Sequence, residues 1–446
     1  MKKIDPGIFK AYDVRGIYPG ELNEDVAYAV ARAFCLFLGE EKLVVGRDMR
    51  LSSPALSEAF IRGANDQGVD VVDIGLCSTD MIYFASGLLD LPGAMFTASH
   101  NPKDYNGLKL CKRQAAPISE DTGIREIKEL ALAGNWPGPE KRGGVEAVDM
   151  LPQYVQHVLT FIDVSAVQPL SIVVDAGNGM AGKLIPAVFD HLPCRIIPMF
   201  FELDGSFPHH QPSPIEPQNI KLVQDKVLRE GADLGMAFDG DADRVFLVDD
   251  LGEPVSGSLT TAMVAKRMLQ KNPGAKVIYN LINSWVVPET IREYGGEPIR
   301  ERVGHSFIKQ TMAETGAVFA GEHSGHYYFR DNYRADSGLI ASLIVVELVS
   351  VEEKPLSKIL EPFRKYYATG EINSEVSDIP AKLEQIAVRY GDGKVDRTDG
   401  ITVEYEDWWF NVRPSNTEPL IRLNLEAKTP SLMAEKRDEV LAAIRS

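Results

Sequence analysis

Leu234-Gly235-Met236-Ala237-Phe238-Asp239-Gly240-Asp241-Ala242-Asp243-Arg244 runs an apolar stretch straight into three carboxylates at alternate positions. A helical pattern over residues 221–230 precedes it, so the order is helix, strand, loop. That order recurs outward in both directions. Leu43-Val44-Val45-Gly46 and residues 69–74, 172–174 and 276–279 read as short buried strands. Residues 24–38 and 53–67 carry helical patterns between them. Strands alternating with helices predict parallel or mixed sheets covered by helices, with ligands gathering at the C-terminal strand ends. No repeat of about 20–50 residues is visible, which excludes a solenoid.

The chain has 446 residues, 44% apolar and 25% charged, an ordinary globular balance. That length predicts about two to four domains. Lys plus Arg number 47 against 64 Asp plus Glu, a formal net charge of −17. So acidic a surface repels nucleic acid and anionic membranes, so neither is expected as a partner. Cys35, Cys77, Cys111 and Cys194 include no C-x-x-C pair and read as reduced thiols of a cytoplasmic enzyme. Met1-Lys2-Lys3-Ile4-Asp5-Pro6 lacks the apolar core of a signal peptide. The longest apolar stretch, residues 339–349, contains Ser342 and Glu347 and is too short to span a bilayer.

Four loops carry the chemistry. Thr97-Ala98-Ser99-His100-Asn101-Pro102 follows the apolar run 91–96 and presents a hydroxyl beside a His. Alone it reads equally well as a capping turn; Lys109, after the turn Asp104-Tyr105-Asn106-Gly107, favours a reactive Ser99. Asp239, Asp241 and Asp243 can converge on one hard cation, since oxygen ligands suit Mg²⁺ and repelling carboxylates need an offset. Position 12 of an EF-hand counted from Asp239 is Asp250 rather than Glu, and strand-like residues 245–248 intervene. Gly321-Glu322-His323-Ser324-Gly325-His326 offers Glu, Ser and His to sugar hydroxyls; its His spacing is one short of the i, i+4 pair of zincins. Arg413-Pro414-Ser415-Asn416-Thr417-Glu418-Pro419, with Arg422 beyond, is a phosphate cradle without the Walker pattern. Gly177-Asn178-Gly179-Met180-Ala181-Gly182 fits G-x-G-x-x-G but reads as tight strand-to-helix packing.

In this order and spacing, the four loops resemble the α-D-phosphohexomutase family. Phe9-Lys10-Ala11-Tyr12-Asp13-Val14-Arg15-Gly16 and Gly46-Arg47-Asp48-Met49-Arg50 are similar to its first domain. The resemblance spans essentially the whole chain, and residues 321–326 look most like the phosphomannomutase/phosphoglucomutase group. It implies an α/β protein: three similar mixed-sheet domains (1–150, 151–253, 254–366) and a smaller α+β domain (367–446) around a central cleft. It also implies reversible phosphoryl transfer between C1 and C6 of mannose or glucose phosphate through a hexose 1,6-bisphosphate. Ser99 would be the phosphoserine and would join Asp239, Asp241 and Asp243 around Mg²⁺. Lys109, Arg244, His100 and His305 would serve catalysis. Tyr12, Arg15, Arg302, Glu322, Ser324, His326, Arg413, Ser415, Asn416, Thr417 and Arg422 would bind substrate.

One departure stands out. Many relatives carry a basic residue in the loop Asn280-Leu281-Ile282-Asn283-Ser284-Trp285, where Ile282 and Trp285 are neutral here. The missing phosphate contact is lost, or comes from Arg302 or Arg300. The partners expected are small hexose phosphates, for a monomer or weak homodimer. A Mg²⁺-dependent sugar phosphatase and a non-catalytic sugar-phosphate binder are the competing readings.

Overall fold

The computed structural model describes residues 4–415 and 420–446. It divides into two compact units, one of residues 1–256 with 324–359, the other of 257–323 with 360–446. The chain therefore crosses between them three times.

The first unit holds two mixed sheets. The six-stranded sheet runs Val14–Ile17, Tyr105–Cys111, Gly93–Phe96, Lys42–Arg47, Asp70–Leu76, Val145–Ala147. The strands from Gly93–Phe96 onward in that order are parallel, and Tyr105–Cys111 is antiparallel to both neighbours. The five-stranded sheet runs Pro254–Val255, Val245–Val248, Leu234–Phe238, Ser171–Asp175, Arg195–Met199. Its last three strands are parallel. Val245–Val248 returns antiparallel on Leu234–Phe238 with Val245 opposite Phe238, so the acidic loop is the tip of a hairpin inside an otherwise parallel sheet.

The helix Glu24–Leu38 shows why the local elements form. Asn23 caps it by accepting from the Val26 N–H at 3.2 Å, an interaction worth about 1 kcal/mol. Glu24 and Asp25 face the positive end of its dipole, and Gly39 ends it at φ +66°. Its face of Val26, Val30 and Phe34 joins Leu43, Val45, Phe60 and Phe96 in one apolar cluster. The helix Gly338–Glu352, holding the longest apolar stretch, is buried from Gly338 to Ser350. Glu347, at its centre, accepts from the Asp163 N–H at 2.8 Å. No helix among the described residues is long and apolar enough to cross a membrane.

In the second unit, Lys276–Asn280 lies parallel to both Glu297–Glu301 and Phe319–Gly321. A five-stranded antiparallel sheet follows in the order Tyr367–Glu375, Leu420–Ala427, Trp408–Pro414, Ile401–Glu404, Lys394–Asp396. The helices Ile379–Arg389 and Pro430–Arg445 cover its core of Phe410, Val412, Leu423 and Leu425. The α/β class, with mixed sheets and helices, matches the expectation.

Candidate active site

Two strand ends in the first unit meet at Ser99. The strand Gly93–Phe96 finishes at Thr97, and the chain turns sharply: Ser99 sits at φ +49°, in the left-handed region. An L-residue holds that conformation only where its surroundings enforce it. The Ser99 N–H donates to Thr97 Oγ1 at 2.8 Å, and the Asn101 N–H to the Ala98 carbonyl at 2.9 Å. Ser99 Oγ donates to Asp239 Oδ2 at 2.7 Å and accepts from Arg244 Nη2 at 3.2 Å. Gly240 lets the loops come this close: a Cβ there would lie 2.5 Å from the Ser99 carbonyl oxygen.

The three carboxylates converge as the sequence predicted. Asp239 and Asp241 are fully buried and Asp243 is 1% exposed; one oxygen of each lies within 4.8 Å of the others. Lys109, from the strand Tyr105–Cys111, reaches Asp241 Oδ2 at 2.8 Å and Asp243 Oδ2 at 2.5 Å. Thr79 Oγ1 donates to Asp241 Oδ2 at 2.5 Å, and Arg244 Nε to Asp239 Oδ2 at 2.9 Å. With Asp239 ionised, two cations against three carboxylates leave one negative charge. Asp241 Oδ1 and Asp243 Oδ1 are buried without a hydrogen-bond partner. Buried polar atoms are ordinarily paired, and an all-oxygen set with spare lone pairs fits a hard divalent cation such as Mg²⁺.

The electrostatics follow from burial. Loss of water pushes the Asp239 carboxyl up to about 7 against the pull of Arg244. Burial also raises Asp241, but the Lys109 ammonium carries it net below the carboxylate range. Burial weakens the charge on Lys109, yet Asp241 and Asp243 hold it protonated well above its ordinary value. The Arg244 guanidinium, and then burial, keep His100 well below the usual imidazole range. His100 Nδ1, 3.2 Å from Ser99 Oγ and in close contact with Arg244 Nη2, is therefore an acceptor on a neutral ring.

Three more residues named from sequence lie here. His326 bonds Asp336 Oδ2 through Nδ1 at 2.7 Å, pairs with Arg244 in an isolated bridge and, with Asp336, offers ligand atoms close to Asp243. Burial lowers its pKa, but Asp336 and Asp243 together more than restore it, to a net rise. Arg15 donates to Asn101 Oδ1 at 2.7 Å and to Asp13 Oδ2 at 2.5 Å, tethering the strand Val14–Ile17 to the Ser99 turn. Tyr12 is half-buried just before that strand, and Ser324 is half-buried at the start of the segment 324–359.

The second unit carries the rest. Glu322, buried at the end of the strand Phe319–Gly321, accepts from Asn280 Nδ2 at 3.2 Å. His305 opens the helix His305–Thr315, and Arg302 stacks on Phe307 with Cζ 4.2 Å from the ring centroid. Arg300 is committed to Glu404 at 2.7 Å, so of the two candidates for the missing basic contact Arg302 is the one not spent on that pair. Arg413 and Arg422 stand directly opposite on neighbouring strands, a like-charge pair that Glu371 bridges at 3.0 Å to each. One carboxylate between two guanidiniums leaves a net positive spot. The Ser415 N–H donates to the Leu420 carbonyl at 2.9 Å. Asn416 and Thr417 lie outside the described residues.

Sequence reasoning gave no role to Thr79, Glu371, Asp336 or Arg50. Arg50 was visible in the Gly46–Arg50 stretch as a resemblance only. Thr79 and Glu371 sit far along the chain from the groups they touch, and Asp336 follows His326 by ten residues but lies beyond the Gly321–His326 stretch; none of the three belongs to a motif.

Residues 6–136, 152–252 and 256–366 match the descriptions of the alpha/beta/alpha domains I, II and III of phosphoglucomutase/phosphomannomutase, and 371–443 match its C-terminal domain. A Xanthomonas campestris protein named "Phosphohexose mutases" is 41% identical over 438 residues, covering 97% of this chain and 98% of that one. The phosphomannomutase of Escherichia coli K12 is 40% identical over 455 residues, covering 100% of this chain and 99% of its own. A crystal structure of a phosphoglucomutase/phosphomannomutase family protein from Burkholderia thailandensis superposes with a TM-score of 0.92 at 36% identity, covering 99% of this chain and 97% of that one.

Proposed function

Since the chain belongs to the phosphoglucomutase/phosphomannomutase family, we propose that this hexose-phosphate mutase works through a phosphorylated Ser99 and a hexose 1,6-bisphosphate. The observation that carries the reading is Ser99 Oγ, 2.7 Å from Asp239, beside two buried carboxylate oxygens that accept no hydrogen bond. Asp239, Asp241 and Asp243, with an oxygen on Ser99, would hold Mg²⁺, which neutralises charge on the transferring group when bound.

The chain's own groups do the rest. The P–Oγ bond of phosphoserine breaks as the free hydroxyl of a hexose phosphate attacks phosphorus in line; the hydroxyl's proton passes to a base and Ser99 Oγ takes one up, giving the bisphosphate and a free Ser99 hydroxyl. The second half returns the other phosphate to Ser99. Arg244, donating to Ser99 Oγ, stabilises the oxygen that gains charge as the phosphoryl leaves. Lys109 acts as a fixed cation that orders Asp241 and Asp243. In the second unit, Glu322 and Arg413 with Ser415 and Arg422 are the groups we assign to sugar hydroxyls and the non-reacting phosphate, with Arg302 supplying a further phosphate contact. We assign His305 to proton transfer, and Tyr12, Arg15, Ser324 and His326 to substrate contacts. One loop would come from each of the segments 1–150, 151–253, 254–366 and 367–446. The four cysteines, none in a disulfide and three of them buried, suit a reducing cytoplasm.

Ser99→Ala tests the reading. Conversion of mannose 1-phosphate to mannose 6-phosphate, followed with glucose 1,6-bisphosphate and Mg²⁺ present, should fall to background. Turnover within tenfold of wild type would remove Ser99 as carrier. Free phosphate released as fast as sugar phosphate disappears would replace the mutase with a phosphatase.

A further inference from the structure

Arg50 touches none of the reacting groups assigned above, yet it is fully buried beside them. Its guanidinium donates to four backbone carbonyls of one turn: Ser99 at 2.8 Å, Asn101 at 2.7 Å, Pro102 at 2.8 Å and Tyr105 at 2.9 Å. The Pro102 carbonyl also accepts from the Tyr105 N–H at 3.0 Å, but carbonyls that converge on one point outside the turn need a common donor, and a rigid five-donor fork can serve them together. Asp48 holds the fork from behind. Its Oδ2 lies 3.3 Å from Arg50 Nε, while its Oδ1 accepts from the Arg50 N–H at 3.0 Å and from Ser53 Oγ at 2.7 Å.

A second contact links this clamp to the carboxylates. The Phe207 ring lies 5.0 Å from Arg50 Cζ, and Gly205 packs so closely that a Cβ there would sit 2.6 Å from Arg50 Cα. A few residues on, Pro212 packs against Gly240, between Asp239 and Asp241. Arg50 thus stands between the turn that bears Ser99 and a segment that reaches the loop facing it.

We propose that Arg50 is a positioning residue: by gathering the carbonyls of Ser99, Asn101, Pro102 and Tyr105 it sets Ser99 Oγ on Asp239, with residues 204–212 tying that geometry to the carboxylate loop. The proposal rests on the mutase reading for its kinetic consequence and on the geometry alone for its structural one. A lysine replaces the fork with a single point of donation, so it cannot bond all four carbonyls in the same geometry. Misplacing a reacting atom by about 1 Å costs about a hundredfold in rate without disturbing substrate contacts elsewhere.

The test compares wild type, Arg50→Lys and Gly205→Ala. Mutase kcat and KM are measured, together with amide hydrogen exchange of the peptide over residues 97–105. Arg50→Lys should lower kcat about 10- to 100-fold with KM within about threefold. Exchange should quicken in that peptide by at least about tenfold and stay unchanged over residues 401–414. Gly205→Ala should move both readings the same way. Unchanged kcat and unchanged exchange in an active Arg50→Lys enzyme would overturn the proposal. So would faster exchange spread through the chain, or failure of both variants to fold, since either makes Arg50 a residue of the general fold. If wild type shows no mutase turnover while Arg50→Lys loosens only residues 97–105, the function falls and the positioning stands.

Discussion

Lys109 is the side chain whose protonation matters most at the Ser99 site. Asp241 and Asp243 hold its ammonium charged well above its ordinary value, so it stays a cation throughout the range in which an enzyme is assayed. Lys109→Met should therefore lower kcat by at least about a hundredfold, as loss of a fixed charge at a transferring group does. Because Lys109 also holds down the carboxyls of Asp241 and Asp239, its loss should raise both, so the defect should be deepest near about pH 6 and shrink toward about pH 9. A mutant-to-wild-type ratio that stays constant across that window would show that Lys109 does not keep these carboxylates ionised. The residue scale also shows why some of the site was legible in the sequence. Three carboxylates after a buried strand demand a cation wherever they occur, and Ser99 with His100 and Lys109 stood in one short stretch. Arg50 was not legible in the same way, because its four acceptors are backbone carbonyls, which carry no residue identity. Glu371 was hidden because its meaning comes from strand register, which sets Arg413 opposite Arg422.

Elements meet at Asp80, the second residue of the helix Thr79–Leu89. Its carboxylate accepts from Ser337 Oγ at 2.6 Å, from Ser78 Oγ, and from the hydroxyl of Tyr154 on the helix Leu151–Leu159. Ser337 also caps the helix Gly338–Glu352, so one carboxyl joins three helices. Burial pushes Asp80 up to about 6 from its ordinary 3.8, more than its three donors pull it down. The folded state thus binds the proton more tightly than the unfolded state. Its contribution to stability is fully present below about pH 4 and is lost as pH rises through about 6, a swing of about 3 kcal/mol. Urea unfolding of wild type and Asp80→Asn at pH 4.5 and 7.5 should show wild type gaining on the variant as pH falls. A difference that is constant with pH, or that moves the other way, would show that Asp80 does not titrate in this range. At this scale the sequence reading did well: strands ending in Gly or acidic residues and helices between them were visible as local patterns. The hairpin that turns the acidic loop back on its own sheet was only half visible, in the strand-like residues 245–248, because antiparallel return is a tertiary choice.

For the molecule as a whole, a ligand held only by the folded state registers as global stability. With free Mg²⁺ at a hundred times its dissociation constant, the gain is about 2.7 kcal/mol. Calorimetry should show the melting temperature rising with Mg²⁺ and returning on chelation. A chain of net charge −17 also attracts any divalent ion loosely, so the rise must be separated from screening. Asp241→Asn keeps nearly all of that charge and should lose most of the rise; an equal rise in both proteins would place the ion elsewhere. The three crossings between the units have a consequence of their own. Ending the chain at Ser256 would leave the first unit without residues 324–359, and so without His326, Asp336, the cap at Ser337 and the helix whose Glu347 holds the Asp163 N–H. Neither half is a continuous stretch of polypeptide. A ribosome making this protein cannot finish its first unit until residue 359 has emerged, after residues 257–323 of the second, so premature release gives a fragment with an open core rather than a smaller working enzyme.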